Sequence, residues 1–367
     1  MTQSHRTDNE IRSRIDRLRI RLSGRPADAI LVSHLPDVRY LCGFTGSNAV
    51  LLVTANSATL FTDGRYTIQA KDEVVDAHVQ IGRGSILTQA GVQLARSRAR
   101  QRVLYSSGHF SVAQFEQVRK AAGGKVRWQA SQGLVDEMRA VKDAGELAEM
   151  RLAARLVSEV FNEVLPIIRP GTMESELAAE VEYRMRRKGA SGAAFETIVA
   201  SGPRSALPHA RPTGKPIAKN ELVVLDLGAI LRGYCSDMTR TVFVGRAPHR
   251  IREWYHAVLE AQAAAIESLS PGVKAGDVDS AARRVLRRHH LARFFTHSTG
   301  HGLGLEVHES PRLGHGEAAR LAAGSVVTIE PGVYIESTGG IRIEDDVAVG
   351  QTGAEVLTNA PKDFLEI

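Results

Sequence analysis

Two stretches in the second half of the chain repeat one pattern. An apolar strand ends in an acid two residues before a glycine, and a returning strand carries another acid. The first runs Leu222-Val223-Val224-Leu225-Asp226-Leu227-Gly228 and returns through Tyr234-Cys235-Ser236-Asp237. The second runs Val326-Val327-Thr328-Ile329-Glu330-Pro331-Gly332 and returns through Ile341-Arg342-Ile343-Glu344. A carboxylate inside apolar flanks is costly to bury unless positive charge meets it. Four of them, paired by duplication, ask for more positive charge than one lysine could bring, and a pair of metal ions answers that demand. Strand alternation places Asp226 on one face with Gly228, and Arg342 on one face with Glu344.

Helix starts repeat as well. Arg169-Pro170-Gly171-Thr172 opens a helix that runs to Arg187-Lys188-Gly189, and Ser270-Pro271-Gly272-Val273 opens one that runs to Arg287-Arg288-His289. The copies are offset by 101 residues at the Pro-Gly, 104 from Asp226 to Glu330 and 107 from Asp237 to Glu344. That drift fits loop insertions in a two-fold duplicated α/β unit. Pseudo-symmetry then gathers the four acids around one centre.

Between the hairpins lies the run Thr296 to Glu309, with His301 flanked by glycines. Glycine there permits close backbone approach and aims an imidazole from a loop. The same run could be a tight turn or a phosphate cradle, but the following helix and ribose-binding acid of a cradle are missing. One imidazole with four carboxylates is an oxygen-rich set suited to manganese, cobalt or zinc in a catalytic setting. Two such ions can lower the pKa of a water and polarise a carbonyl. Amide hydrolysis then needs a proton shuttle and a group to steady the oxyanion, and His209, His297 and His308 are the candidates. His289, His290 and His315 read as structural or exposed, and Cys235 as a small buried apolar residue.

At 367 residues the chain has room for two domains. Strand candidates Ala29–Val32, Ala49–Val53 and Ala58–Phe61, a turn at Thr62-Asp63-Gly64-Arg65 and a helix at Ser111–Ala122 predict a mixed α/β domain over 1–138. A helix over Asp143–Leu165 opens a second domain over 139–367, and Ile11, Ile15, Leu18 and Leu22 mark an amphipathic helix at the start of the first. Two distant cysteines give no disulfide framework, and no apolar run reaches the roughly 18 residues of a membrane span. The stretch Met1–Gly24 lacks the features of a signal peptide, so a cytoplasmic protein is expected. The charge of +6 invites a nucleic-acid reading, but Arg184-Arg186-Arg187-Lys188 and Arg283-Arg284-Arg287-Arg288 fall near helix C-termini. There they complement the helix dipole and solvate a face, so neither a nucleic acid nor a membrane is expected as partner.

These residues resemble the pita-bread-fold metallopeptidases, in the branch of aminopeptidase P and prolidase. The signature blocks are Leu222 to Arg240, Gly300 to Glu309, Thr328 to Gly332 and Gly340 to Asp345. Pro36 to Leu41 and Gly43 to Gly46 resemble the creatinase-type N-terminal domain of that branch. The resemblance implies an α/β (α+β) fold with a creatinase-like N-terminal domain and a C-terminal pseudo-two-fold pita-bread domain. It implies that Asp226 chelates one of two divalent ions, that His301 and Glu330 bind the other, and that Asp237 and Glu344 bridge both. Manganese is the first choice of ion, with cobalt or zinc as alternatives. Glu330 is implied as proton shuttle, His209, His297 and His308 as contacts to substrate and intermediate, and Arg342 as holder of the metal-site carboxylates.

The implied reaction is release of an N-terminal residue followed by proline, as by an Xaa-Pro aminopeptidase, from peptides with proline second. The alternative is an Xaa-Pro dipeptidase, or prolidase. Arg312 matches an arginine that some prolidases place near the dipeptide carboxylate, and reads equally as a surface arginine beside Pro311. Methionine aminopeptidases usually lack this N-terminal domain, and creatinase lacks the five-ligand set. Relatives that only bind have usually lost ligands or gained long charged extensions. The family's habit implies a homodimer.

Overall fold

The computed structural model describes residues 8–131 and 133–367, with side chains from Arg14 onward. The chain divides into two compact units, Met1–Arg139 and Ala140–Ile367. In the first, α1 (Asp8–Ser23) leads to β1 (Ala29–Val32), α2 (Leu35–Cys42), β2 (Ala49–Thr54) and β3 (Ala58–Asp63). Then come α3 (Thr67–Glu73), β4 (His78–Gly82), α4 (Ile86–Ala95), β5 (Gln101–Ser106), α5 (Val112–Ala122), β6 (Val126–Ser131) and α6 (Asp136–Arg139). The strands make one mixed sheet in the order β4-β3-β2-β1-β5-β6. Ile15, Leu18 and Leu22 of the α1 stripe are buried, while the Ile11 side chain lies outside the described residues. Ser111 starts α5 with a reciprocal capping box to Gln114. Thr62 and Asp63, expected in a turn, continue β3 instead, because Thr62 pairs with Ala49 on one side and Ile81 on the other. The turn follows as a single 3-10 turn, Gly64–Tyr66, capped by the Asp63 side chain.

The second unit opens with α7 (Ala144–Val164), whose capping box joins Asp143 to Glu146. It continues with α8 (Glu174–Arg187), β7 (Gly192–Ala193), β8 (Ile198–Ser201), β9 (Glu221–Leu227), β10 (Ala229–Leu231), β11 (Tyr234–Cys235) and β12 (Met238–Val244). The second half holds α9 (His249–Glu267), α10 (Ala275–Arg288), β13 (Gly300–Gly302), β14 (Glu309–Leu313) and β15 (Val326–Ile329). It closes with β16 (Gly332–Ile335), β17 (Gly339–Arg342), β18 (Asp345–Val349) and β19 (Ala354–Val356). Four sheets result: β12-β9-β8, β11-β10-β7, β14-β13-β15-β18-β19 and β16-β17. Each half has its own core. Val157, Phe161, Leu177 and Val181 pack with Leu225 and Val242, whereas Val258, Ala261, Val278 and Val285 pack with Val327 and Val347.

The duplication extends to individual backbone bonds. Gly171 N–H donates to Ile217 O and Gly272 N–H to Leu321 O; Ile217 N–H returns to Thr172 O and Leu321 N–H to Val273 O. Each hairpin also changes sheets at its acids. In the first, β9 passes into β10 at Gly228, and β11 into β12 through Ser236-Asp237. In the second, β15 passes into β16 through Glu330-Pro331, and β17 into β18 through Ile343-Glu344. The breaks fall at Gly228 and just before Glu344, yet Arg342 and Glu344 share one side as alternation expects: Thr239 Oγ1 accepts from Arg342 Nε and donates to Glu344 Oε2.

Several residues of the basic helix ends are paired locally. Arg184 pairs with Glu180 and Glu163, Lys188 with Glu159 and Glu163, and Arg288 with Glu260. Among the described residues no helix is long and apolar enough to cross a membrane. Cys42 and Cys235 are both buried and are not joined in a disulfide.

His301 is presented from the strand β13 and not from a loop, and its glycine neighbours serve strand packing. A Cβ on Gly300 would stand 1.9 Å from Thr328 O, and one on Gly302 would stand 2.4 Å from Ser310 O. Both obstacles are backbone atoms, which cannot swing away. Gly300→Ala is expected to destabilise the protein by about 3 kcal/mol, measured by guanidinium unfolding.

Candidate active site

The sheet-switching breaks bring Asp226, Asp237, Glu330 and Glu344 to one centre, and β13 adds His301. The ligand atoms of Asp237, His301 and Glu344 lie within 4.8 Å of one another. His301 Nε2 is 3.7 Å from Asp237 Oδ2 and 3.5 Å from Glu330 Oε1. Its Nδ1 donates to Gly302 O at 3.0 Å, so the Nε2 lone pair faces the carboxylates. Thr328 Oγ1 accepts from His301 N–H at 3.1 Å and donates to Glu330 Oε1 at 3.2 Å, which fixes strand and carboxylate together. Thr239 Oγ1 donates to Glu344 Oε2 at 2.6 Å.

Charge at this centre is out of balance. Burial pushes the Asp237 and Glu344 carboxyls well above the usual range, and the neighbouring carboxylates push them further. Burial likewise raises Glu330 to about 7, against the pull of Arg342. Asp226 Oδ1 and Asp237 Oδ1 are buried without a hydrogen-bond partner. The Arg342 guanidinium lies among the four acids, donating to Asp226 Oδ2 at 2.6 Å and to Thr239 Oγ1 at 2.9 Å. Orphaned carboxylate oxygens, an imidazole lone pair and missing positive charge are what a set of divalent-cation ligands presents. The residues fit two metal ions.

Three further histidines surround the acids differently. His308 is exposed, with its ring 4.3 Å from that of His301, and partial desolvation lowers its pKa. His209 is exposed, in the loop after the 3-10 turn Gly202–Ala206, and its charge acts on His297, His308 and Glu330. His297 has both ring nitrogens engaged. Its Nδ1 donates to Ser298 O at 2.8 Å, and its Nε2 accepts from Tyr334 Oη at 2.8 Å. Burial, with Arg342 adding to it, holds its pKa down to about 4, so the ring is neutral. As placed, His297 has no free nitrogen to offer a substrate.

Sequence reasoning missed Tyr334. Its hydroxyl accepts from Arg342 Nη1 at 2.8 Å while donating to His297, so Asp226, Arg342, Tyr334 and His297 form one chain of bonds. In the β16–β17 ladder Gly332 faces Arg342 and Tyr334 faces Gly340, which makes Tyr334 and Arg342 diagonal neighbours on one face. The glycines leave the room: a Cβ on Gly332 would stand 2.6 Å from Tyr334 Oη, and one on Gly340 2.8 Å from its ring. The paired Gly332 and Gly340 around Arg342 are the sequence signal that could have found it. Tyr334→Phe is expected to cost about 1 to 3 kcal/mol of stability, since His297 Nε2 and one Arg342 bond lose their partner. Urea titration measures it.

Arg312 stands directly opposite His301 in the β13–β14 ladder. Opposed residues of an antiparallel pair present their side chains on one face, so Arg312 shares the face of the metal-ligand candidate. Its side chain runs past Gly314, where an added Cβ would meet Arg312 Nε at 3.4 Å.

Comparison with known proteins agrees with this geometry. The profile of metallopeptidase family M24 matches residues 148–351, and that of the creatinase/prolidase N-terminal domain matches residues 14–141. An Xaa-Pro dipeptidase of Pyrococcus horikoshii is 35% identical over 339 residues, 92% of this chain and 94% of that protein. The structure of an Xaa-Pro dipeptidase from Bacillus anthracis superposes with a TM-score of 0.93 at 35% identity, over 97% of this chain and 100% of that one. An X-Pro aminopeptidase from Thermotoga maritima superposes with a TM-score of 0.88 at 36% identity, over 96% and 99% of the two chains.

Proposed function

Because the chain belongs to metallopeptidase family M24 and carries the creatinase/prolidase N-terminal domain, we propose that it is an Xaa-Pro dipeptidase. The sequence alone put an Xaa-Pro aminopeptidase first; the dipeptidase relatives and Arg312 favour the alternative. Arg312 is the observation that carries it. A free dipeptide ends one residue past its scissile bond, so its carboxylate falls close to the metal ligands. Arg312, across from His301, offers that carboxylate a planar fork of donors. A longer peptide has an amide there and nothing for the guanidinium to neutralise.

Asp226 would hold one ion, His301 and Glu330 the other, with Asp237 and Glu344 shared between them. Bound there, the two ions would supply an activated water at neutral pH and polarise the scissile carbonyl. Glu330 carries the proton from the attacking water to the leaving proline nitrogen, which departs as a secondary amine only when protonated. The Thr328 hydroxyl steadies its Oε1 for that work. His308, beside His301, and His209, on the exposed loop, are placed to donate to the substrate carbonyl as it gains charge. His297 works indirectly, keeping Tyr334 and through it Arg342 in line with Asp226. An Xaa-Pro bond has no amide hydrogen, so recognition falls to the two ends of the dipeptide.

Manganese is the first choice of ion, before cobalt and zinc. The test compares Xaa-Pro with Xaa-Pro-Yaa peptides under each of the three. Preference for the dipeptide supports the reading, and faster cleavage of the tripeptide returns the protein to the aminopeptidases. We also take the units divided near Arg139 as its domains and the active form as a homodimer; a monomer by light scattering at all concentrations would sink the latter.

A further inference from the structure

His297 lies in a segment, 295–299, outside any helix or strand, yet its backbone is held at many points. The holders are Asp279 and Arg283, one turn apart on α10. Asp279 Oδ1 accepts from Thr299 N–H at 3.2 Å and from the Thr299 hydroxyl at 2.9 Å. Its Oδ2 accepts from Arg283 Nε at 2.7 Å. Arg283 spends its remaining donors on Phe295 O at 3.0 Å and His297 O at 2.5 Å. Thr299 O in turn accepts from Glu330 N–H at 2.8 Å. One buried carboxylate thus reaches the backbones of His297 and Glu330 through two residues, and Thr299 adjoins the strand of His301.

Asp279 is fully buried on the apolar face of α10, beside Val278 and Ala282. A helix that only needed to pack would place a hydrocarbon there, because a charged group costs free energy to bury. The other half uses the same device. Glu174, also fully buried, accepts from Ser201 N–H at 2.8 Å, the Ser201 hydroxyl at 2.9 Å, Arg204 Nε at 3.0 Å and the Thr213 hydroxyl at 2.9 Å. Arg204 then donates to Arg211 O at 2.5 Å. These bonds bracket the loop of His209. The two clamps are not copies of one position: Glu174 N–H donates to Lys215 O as Ala275 N–H donates to Ala319 O, which makes Ala275 the counterpart of Glu174. Asp279 lies one turn further along, so the two halves hold their loops from different helix positions.

We propose that Asp279 with Arg283, and Glu174 with Arg204, are positioning residues for the hydrolysis, holding the backbone segments that present His297, Glu330 and His209. The inference rests on the peptidase function proposed above. Neither acid touches the substrate.

The test uses Asp279→Asn and Thr299→Val, singly and together, in the full-length metal-loaded protein. Each single change is expected to lower kcat on Xaa-Pro about 10- to 100-fold, with KM within about threefold of wild type. The double variant loses no more than the worse single one, because both break the same link. Asp277→Asn, on the exposed side of the same helix, keeps wild-type kcat. In the metal-free protein, 15N-histidine spectra are expected to show one Nδ1–H tautomer for His297 in wild type and a mixture in Asp279→Asn. The proposal is overturned if kcat per folded enzyme stays within about twofold of wild type while only thermal stability falls, or if the losses multiply in the double variant. Should Asp279→Asn not fold, Thr299→Val, which removes one hydroxyl, carries the same comparison. If wild type cleaves no Xaa-Pro peptide, the peptidase reading fails, and an unchanged His297 spectrum in the variants sinks the clamp on its own.

Discussion

Asp237→Asn is expected to lower Xaa-Pro hydrolysis by on the order of 10³-fold or more and yet to stabilise the metal-free protein. The two effects have one cause. Asp237 is buried, its Oδ1 has no hydrogen-bond partner, and Glu344 and Asp226 add like charge to the cost of burial. Without metal that arrangement is strained, and asparagine removes the charge at almost the same shape. A gain of about 0.5 to 2 kcal/mol follows, typical of relieving a strained functional site. With metal the sign is expected to reverse, because ligand binding stabilises the folded state and the variant would lack the acid proposed to be shared by both ions. Thermal unfolding with and without manganese, beside turnover of an Xaa-Pro dipeptide, reads both effects. Unchanged turnover, or a variant less stable than wild type when metal-free, would remove Asp237 from the metal site.

The acids were legible because burying charge leaves a trace in sequence. Asp226 and Glu330 stand at the ends of strand-forming runs that are apolar but for Thr328, and their duplication with Asp237 and Glu344 calls for a partner charge where a lone acid would read as a cap. The duplication was legible for a similar reason: Pro-Gly helix starts and acid positions recur in order, and the recurrence reappears as matched backbone bonds from Gly171 and Gly272. The sheet switch was not legible. At Gly228 and Ile343-Glu344 the ladder stops and the chain passes to another sheet, which alternation does not signal, although Arg342 and Glu344 still meet at Thr239 on one side as expected. His301 shows the same limit. Its glycines serve the close backbone approach that was expected, Thr328 O against Gly300, but from within a strand and not a loop.

Groups that act through other residues were the least visible. Tyr334 and Arg342 meet as diagonal neighbours across a hairpin, a relation fixed only once the register is known. Asp279 occupies a position that helical periodicity assigns to the core, where a lone acid carries no pattern to compare it with. Thr239 and Thr328 look like ordinary strand residues until their hydroxyls are found on Glu344 and Glu330. Side chains that ligate a hard divalent metal are chiefly acids and imidazoles, so their type betrays them. Side chains that orient ligands can be any donor, and only geometry identifies them.

Arg312→Ala separates the two peptidase readings more sharply than any metal experiment. Its guanidinium shares a face with His301, and the dipeptide carboxylate is the one formal negative charge the substrate brings to that side. A bidentate bond between them differs from a neutral hydrogen bond in strength and in direction. Losing a charged partner costs about 1.5 to 3 kcal/mol, which predicts a loss of about 10- to 100-fold in kcat/KM for Xaa-Pro. Xaa-Pro-amide and Xaa-Pro-Yaa have no charge at that point and should change by less than about threefold. Arg312→Lys keeps the charge but not the planar fork, and an intermediate loss is expected. Were Arg312, which is exposed, only a solvated arginine beside Pro311, all of these substrates would respond alike to each substitution. Dipeptide and amide turnover by the same variants decides the matter, because any general damage to the metal site lowers both and cancels in their ratio.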